Sequence, residues 1–315
     1  MAEVRTVDTH YLGYPRFAAC FLLLEGGRAA FVETNTNFAV PKLLEALRAS
    51  GRAPEDVDYV IVTHVHLDHA GGASKLMAVC PNATLLAHPR AAKHLIDPAK
   101  LVASAEQVYG VERFAALYGS IEPIAAARVR TMGDEETLRW GETTLRFLHT
   151  RGHANHHFCV LDEAARNIFT GDSFGLRYPA LQDEGLVVFP STSPTDFDPV
   201  AARESVRRIA ASGAARAYLT HYGECDALDA AADSLCGQLD AYEVVVEEAD
   251  ASGREGEELA TFVRAGVEAI FAEAFGDRAF MREEARRAVV AMDVDLNAQG
   301  VAFAVEKRRH KRATA

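Results

Sequence analysis

Four side chains able to hold a metal ion fall within six consecutive positions of this chain. They are His64, His66, Asp68 and His69, in the segment Thr63-His64-Val65-His66-Leu67-Asp68-His69-Ala70-Gly71-Gly72. The apolar run Tyr59-Val60-Ile61-Val62 leads directly into it. Residues two apart on an extended chain point the same way, so His64 and His66 can reach one cation together. Asp68 and His69 fall where the chain turns toward a helix and can face a second cation. Neutral imidazole and carboxylate suit zinc, iron, manganese and similar first-row metals. A polar turn that happens to be rich in histidine is the plain alternative, and three more potential ligands in matching settings weigh against it.

Those three lie downstream. His153 stands in Thr150-Arg151-Gly152-His153-Ala154, just past an apolar run ending at Leu148. Asp172 stands in Phe169-Thr170-Gly171-Asp172-Ser173, and His221 in Leu219-Thr220-His221-Tyr222-Gly223. Each sits at the C-terminal end of an expected strand, where open α/β sheets gather their ligands. Singly each is weak: a loop histidine is usually a hydrogen-bonding residue, and Asp172 could cap a helix. All seven together are a specific signal.

The elements that must position them can be read from periodicity. Cys20–Leu24 and Ala29–Val32 read as strands of a hairpin turning at Glu25-Gly26-Gly27-Arg28. Pro41 opens a helix with Leu43, Leu44 and Leu47 on one face, closing at Ser50-Gly51. Ala70–Val79 is helical, Ala83–Ala87 is a buried strand, and residues 90–119 are mainly helical. Strands are expected to either side of Trp140-Gly141-Glu142, around Phe158–Leu161 and Asn167–Thr170, and at Ala215–Thr220. A helix spans about Pro199 to Ala211. This order implies a partly parallel sheet with helices packed on it. After residue 225 no strand signal remains, and breaks at Ser252-Gly253 and Gly276-Asp277 divide the rest into about three helices. Their apolar residues, among them Val244, Val245, Val246, Phe262, Val263, Val267, Ile270 and Phe271, must bury against something: the chain's own sheets, the metal cleft or a second copy in a homodimer.

The 315 residues are 49% hydrophobic and 25% charged, ordinary for a globular protein. Formal net charge is −12, which disfavours general binding to nucleic acid or anionic membrane. No apolar run approaches the roughly 20 residues of a membrane span. The N-terminus lacks the pattern of a signal peptide, so a cytoplasmic location is expected. Cys20, Cys80, Cys159, Cys225 and Cys236 form no paired motif and read as small buried hydrophobes. The basic run Glu306–Arg312 reads as a solvated, frayed terminus.

With these residues in place, the chain resembles the metallo-β-lactamase-fold superfamily over about residues 8 to 225. The segment from Arg151 to His157, with His88-Pro89 and the helical tail, is most similar to an uncharacterised hydrolase-like branch. The resemblance implies an α/β fold, a four-layer αβ/βα sandwich with a C-terminal helical extension and the metals at one rim of two sheets. It divides the chain into a catalytic domain, 1–224, and a helical region, 225–315. It implies two divalent ions, zinc first, with iron or manganese as alternatives. One ion would take His64, His66 and His153, the other Asp68, His69 and His221, and Asp172 would bridge them. Glu33-Thr34-Asn35 stands where many relatives have Asp-Thr-Gly. Glu33 could still accept a hydrogen bond from a ligand imidazole.

The chemistry implied is hydrolysis of an ester, thioester or lactone bond in a small molecule, by a hydroxide formed between the ions. Asp68 and Asp172 would be the catalytic carboxylates, with Asp172 orienting that hydroxide. Tyr178 or Tyr222 could donate to a developing oxyanion, although packing roles are the simpler expectation. His157 could support a ligand, touch substrate or serve as a loop histidine. The competing class is a di-iron protein that binds or reduces oxygen. Such relatives often carry Glu in place of one cluster histidine and a flavodoxin-like domain, whereas His66 is retained here. A nuclease fits less well, because the chain is acidic and its extra segment helical.

Overall fold

The computed structural model describes residues 1–192, 194, 196–276 and 278–314. Asp277, in the expected helix break, lies outside the described residues. The chain divides into two compact units.

The first unit comprises residues 1–149, 156–171 and 213–226 and holds both sheets. Strands β1 (Glu3–Asp8), β2 (Ala19–Glu25), β3 (Arg28–Val32), β4 (Val57–Ile61), β5 (Thr84–Ala87) and β6 (Val129–Thr131) form one sheet in chain order. The expected hairpin joins β2 to β3, and β3 to β6 run parallel. Strands β7 (Thr137–Trp140), β8 (Thr143–His149), β9 (Phe158–Asp162), β10 (Asn167–Gly171), β11 (Arg216–Leu219) and β12 (Gly223–Cys225) form the other, again in sequential order. Only β10 and β11 are parallel neighbours there. Helices α1 (Val40–Ala49), α2 (Leu67–Ala70), α3 (Ala73–Val79), α4 (Pro89–Ile96), α5 (Ala99–Tyr109) and α6 (Val111–Tyr118) complete the unit.

Strand β2 shows why its run reads as continuously apolar. Alternate residues Ala19, Phe21 and Leu23 join Phe147, Phe158 and Phe169 between the sheets. Cys20, Leu22 and Leu24 point the other way, toward Leu43 and Leu47 of α1 and Leu76 of α3. Each phenylalanine buried in that inter-sheet layer stabilises the fold by about 1.5–3 kcal/mol. Left-handed backbone at non-glycine residues of the rim, such as Glu33 at φ 66° and Asn35 at φ 51°, costs about 1–3 kcal/mol each. The core therefore offsets rim strain comfortably. The two-sheet α/β architecture with a C-terminal helical extension is the one expected.

The second unit comprises residues 150–155, 172–212 and 227–315. It contains α7 (Pro199–Ala210), α8 (Leu228–Ala251), α9 (Gly256–Phe275) and α10 (Glu284–Ala313). The three long helices after residue 225 are as expected, but the linear division at 224/225 is not how the chain packs. Segment 172–212 belongs with the helices: α7 lies against α8, and the Phe189 ring meets Phe271 and Phe275 of α9 at 5.2 and 5.7 Å. Val245, Val246, Val263, Val267 and Phe271 are all buried.

Two expectations about α10 change. It is long and apolar enough to cross a membrane by length and composition, but half of its apolar window is buried, and Asp293 and Asn297 are buried with it. That is the pattern of a core helix. The basic run is not frayed either. The helix continues to Ala313, and Arg308, Arg309 and Arg312 surround the buried Asp250 carboxylate at 3.4, 3.2 and 2.5 Å. Those partners lie far away in sequence, so a charge run alone could not reveal them.

Candidate metal centre

The first unit brings five of the seven expected ligands together at the C-terminal ends of its strands. The chain leaves β4 extended through His64 and His66, then turns into α2, which carries Asp68 and His69. His64 Nε2 and His66 Nδ1 lie 2.8 Å apart, as their spacing predicts. His221 follows β11, and its Nε2 is 3.4 Å from Asp68 Oδ2; His69 Nε2 is 3.9 Å from the same oxygen. The ligand atoms of Asp68, His69 and His221 all lie within 4.8 Å of one another.

The supporting contacts fix which nitrogen of each imidazole carries the proton. Glu33 Oε1, an acceptor only, lies 3.1 Å from His69 Nδ1, so that nitrogen donates. The Phe17 carbonyl likewise accepts from His221 Nδ1 at 3.0 Å. Thr63 donates its hydroxyl to Glu33 at 2.5 Å, and so its oxygen accepts from His64 Nδ1 at 3.0 Å. In each ring Nε2 is then left as the acceptor. Two such lone pairs converging on the Asp68 carboxylate repel unless a proton or cation joins them, and a divalent ion fits this donor set. His64, His69 and Glu33 are fully buried, while the Asp68 side chain retains 27% exposure and is the open face of the group.

The backbone around Glu33 clamps the ligand-bearing turn. Thr34 N and Oγ1 both donate to the His69 carbonyl, at 2.9 and 2.8 Å, and Asn35 Nδ2 donates to the Asp68 carbonyl at 2.9 Å. Glu33 thus takes the supporting role expected of it despite its longer side chain. His157 is fully buried with its ring 4.9 Å from that of His64, which removes it as a substrate contact. Gly171, at φ +50°, is confined by the same packing: a Cβ there would lie 2.5 Å from both His157 Nε2 and Thr63 Oγ1. The partly exposed His156 lies near His66, ring centroids 5.7 Å apart. Beside Asn35, a cavity of about 320 Å³ opens between Tyr11, Leu12, Thr36, Phe38 and Leu117.

The second unit pairs the other two expected ligands. His153 Nε2 lies 3.5 Å from Asp172 Oδ2, and both residues are buried. Ser191 supports both: its carbonyl accepts from His153 Nδ1 at 3.0 Å and its hydroxyl donates to Asp172 Oδ2 at 3.2 Å. Tyr178 is buried in this unit, its hydroxyl donating to Asp293 Oδ1 at 3.4 Å, and Tyr222 packs on the inter-sheet core of the first unit. The five cysteines are free thiols, four of them buried, and none joins a ligand cluster among the described residues.

Sequence reasoning missed Thr63, Phe17 and Ser191. Two of them act through backbone carbonyls, which carry no signal of residue type.

The chain resembles known proteins along most of its length. A metallo-beta-lactamase fold-containing protein of Sulfurisphaera tokodaii is 32% identical over 158 residues, 49% of this chain and 56% of that protein. A hydroxyacylglutathione hydrolase of Francisella tularensis is 26% identical over 117 residues, 37% of this chain and 34% of the relative. The chain thus spans about half or less of the length of these curated relatives. A solved structure of an archaeal metallo-beta-lactamase superfamily protein from Sulfolobus tokodaii superposes with TM-score 0.65 at 21% identity, covering 96% of this chain and 98% of that one, and shows the shared fold. The sequence profile of the metallo-beta-lactamase superfamily matches residues 13–221, more than half of the chain, and this protein belongs to that superfamily.

Proposed function

We propose that this protein is a metal-dependent hydrolase that cleaves an ester, thioester or lactone bond of a small molecule. In this reading His64, His66 and His153 would hold one divalent ion, Asp68, His69 and His221 would hold a second, and Asp172 would serve both. Zinc is the first choice for both. The observation that carries the reading is the convergence of two acceptor nitrogens, His69 Nε2 and His221 Nε2, on the Asp68 carboxylate. When bound, such a pair of ions supplies Lewis acidity and lowers the pKa of a water held between them. The chain's own residues do the rest. Glu33 and the Phe17 carbonyl keep the protons of His69 and His221 on Nδ1, so neither ring can turn its donor toward substrate. Asp68, whose side chain stays partly exposed beside the buried His69 and His221, is placed to take a proton from an attacking water. The neighbouring cavity gives room for one arm of the substrate, with Asn35 joining its wall to the Asp68 backbone. Free thiols fit a reducing, cytoplasmic setting.

A second reading, a di-iron protein that binds or reduces oxygen, draws on likeness to a putative diflavin flavoprotein of Thermosynechococcus vestitus, 26% identical over 50% of this chain. Metal analysis of protein produced without added zinc separates the two. Colourless protein with two zinc ions that hydrolyses a panel of thioesters, esters and lactones supports the hydrolase. Stoichiometric iron with an oxygen-sensitive visible spectrum, and no hydrolysis, overturns it.

A further inference from the structure

We infer that helix α10 is a positioning element of the metal centre, acting on His153 and Asp172 through one peptide group, with Asn297 as the positioning residue. The inference rests on the metal-binding reading above and extends it to a part of the chain that carries no ligand.

The peptide is Ser191–Thr192. Its carbonyl accepts from His153 Nδ1 at 3.0 Å, and its N–H donates to Asn297 Oδ1 at 2.8 Å. The two bonds sit on opposite ends of one rigid, planar unit, so moving either end turns the other. They also polarise one another, as hydrogen bonds in series do in a low-dielectric interior. Thr192 Oγ1 donates to the Asn297 carbonyl at 3.1 Å, which fixes the same residue a second time. Ser191 Oγ meanwhile reaches Asp172 Oδ2. Both candidate ligands of this unit are therefore held by a residue whose peptide is anchored on α10. Thr192 is fully buried and Asn297 nearly so, so bulk water does not compete for these bonds.

The helix is shaped to receive that peptide. Asp293, Asn297 and Gly300 follow an i, i+4, i+7 spacing and share one face. Asp293 takes the Tyr178 hydroxyl, and Gly300 leaves the space that Thr192 fills. A Cβ at Gly300 would lie 2.3 Å from Thr192 Oγ1 and 3.1 Å from its carbonyl carbon. The glycine gives up about 1 kcal/mol of helix propensity relative to alanine, and the space it leaves is what lets Thr192 reach the Asn297 carbonyl.

The test uses the full-length protein and cobalt(II) ions alone, titrated into metal-free protein and followed by competition with a chelator and by the visible spectrum. Asn297→Ala is expected to weaken cobalt binding about ten- to a hundredfold, as loss of a ligand's supporting partner does, and to shift the visible bands. Asn297→Asp keeps an acceptor for the Thr192 N–H and should recover most of the affinity. The control is Val305→Ala, a cavity in the same helix about 12 Å along its axis. It should lower thermal stability while leaving cobalt affinity and spectrum as in the wild type. If Asn297→Ala does not fold, Gly300→Ala carries the test, since its methyl displaces Thr192 in a helix otherwise favoured by alanine. Wild-type affinity and spectrum in Asn297→Ala, or in Gly300→Ala where that replaces it, overturn the positioning role alone. An equal loss in Val305→Ala also overturns it, because the effect would then be general loosening. A wild-type protein that binds no cobalt overturns this inference and the metal-binding reading together.

Discussion

Replacing Glu33 by Gln should weaken metal binding and leave the metal-free fold as stable as before, or more so. The Glu33 carboxylate is fully buried and accepts from Thr63 Oγ1 at 2.5 Å, His69 Nδ1 at 3.1 Å, the Thr63 amide at 3.4 Å and Thr220 Oγ1 at 3.4 Å. Every one of those groups donates. A glutamine there can accept through one oxygen only, and its amide would face at least one N–H or O–H donor. The lost bond to a charged acceptor is worth about 1.5–3 kcal/mol. In the loaded protein that loss falls on His69, whose Nδ1 proton would no longer be held by an anion, and 1.4 kcal/mol corresponds to tenfold in affinity. The expected drop in affinity is therefore about ten- to a hundredfold. In the metal-free protein the balance differs, because removing a buried charge recovers desolvation energy that offsets the lost bond. Chelator competition gives the first quantity, and thermal melting of the two metal-free proteins gives the second. Equal metal affinity in wild type and Glu33→Gln would refute the argument. So would a metal-free variant that melts far below wild type, since Glu33 would then be serving the fold rather than the ligand.

Three further outcomes follow from the same geometry. Asp172→Asn keeps the shape of a residue bonded to Ser191 and should lower turnover by more than about tenfold, or 1.4 kcal/mol, without lowering the melting temperature of metal-free protein; unchanged turnover removes the bridging role. Leu117→Trp should narrow the 320 Å³ cavity and raise KM for bulky acyl substrates more than for acetyl ones; a uniform change would place the substrate elsewhere. Burial, with smaller contributions from His149 and His156, lowers the His88 pKa to about 3, while His88 Nδ1 accepts from the Arg90 amide at the start of α4. Between pH 6.5 and 3 the unfolded chain binds a proton there that the fold refuses, so stability is present at high pH and lost as pH falls through 6.5. From those two pKa values the loss between pH 8 and pH 5 is about 2 kcal/mol. His88→Asn keeps the capping acceptor and should be spared that loss in denaturant titrations of metal-free protein; identical losses would show that His88 titrates normally.

The cluster from His64 to His69 was legible because all four of its candidate ligands are set by local chain geometry: an extended tripeptide, then one turn of helix. Strand ends were legible because the apolar runs before Leu148, Gly171 and Thr220 are short and end in glycine or polar residues. What holds the ligands was less so. Glu33 could be suspected from its place after β3, yet the Phe17 and Ser191 carbonyls come from residues whose side chains say nothing of the contact. Asn35, where the resemblance led to an expectation of glycine, has a φ of 51°, a left-handed conformation that asparagine is among the few residues to tolerate. The basic terminus was misread for the opposite reason. Its arginines declare a charge but not the address of Asp250 and Glu247, which only the packing of α10 supplies.

The path of the chain explains why ligand positions were easier to read than ligand supports. Residues 150–155 and 172–212 leave the second sheet at the ends of β8 and β10 and return to it at β9 and β11. His153 and Asp172 stand near the start of those excursions, Asp172 directly after Gly171. Their covalent neighbours are strands, so the strand pattern announces them. Their noncovalent neighbours are Ser191 and, one peptide further, Asn297. That second set lies about 20 to 140 residues downstream, beyond the reach of any periodicity, and it is fixed by helix packing instead. If the proposed role of α10 holds, a helical segment without a candidate ligand decides the geometry of His153 and Asp172, and a domain boundary drawn where the strand signals stop separates those two residues from their hydrogen-bond partners.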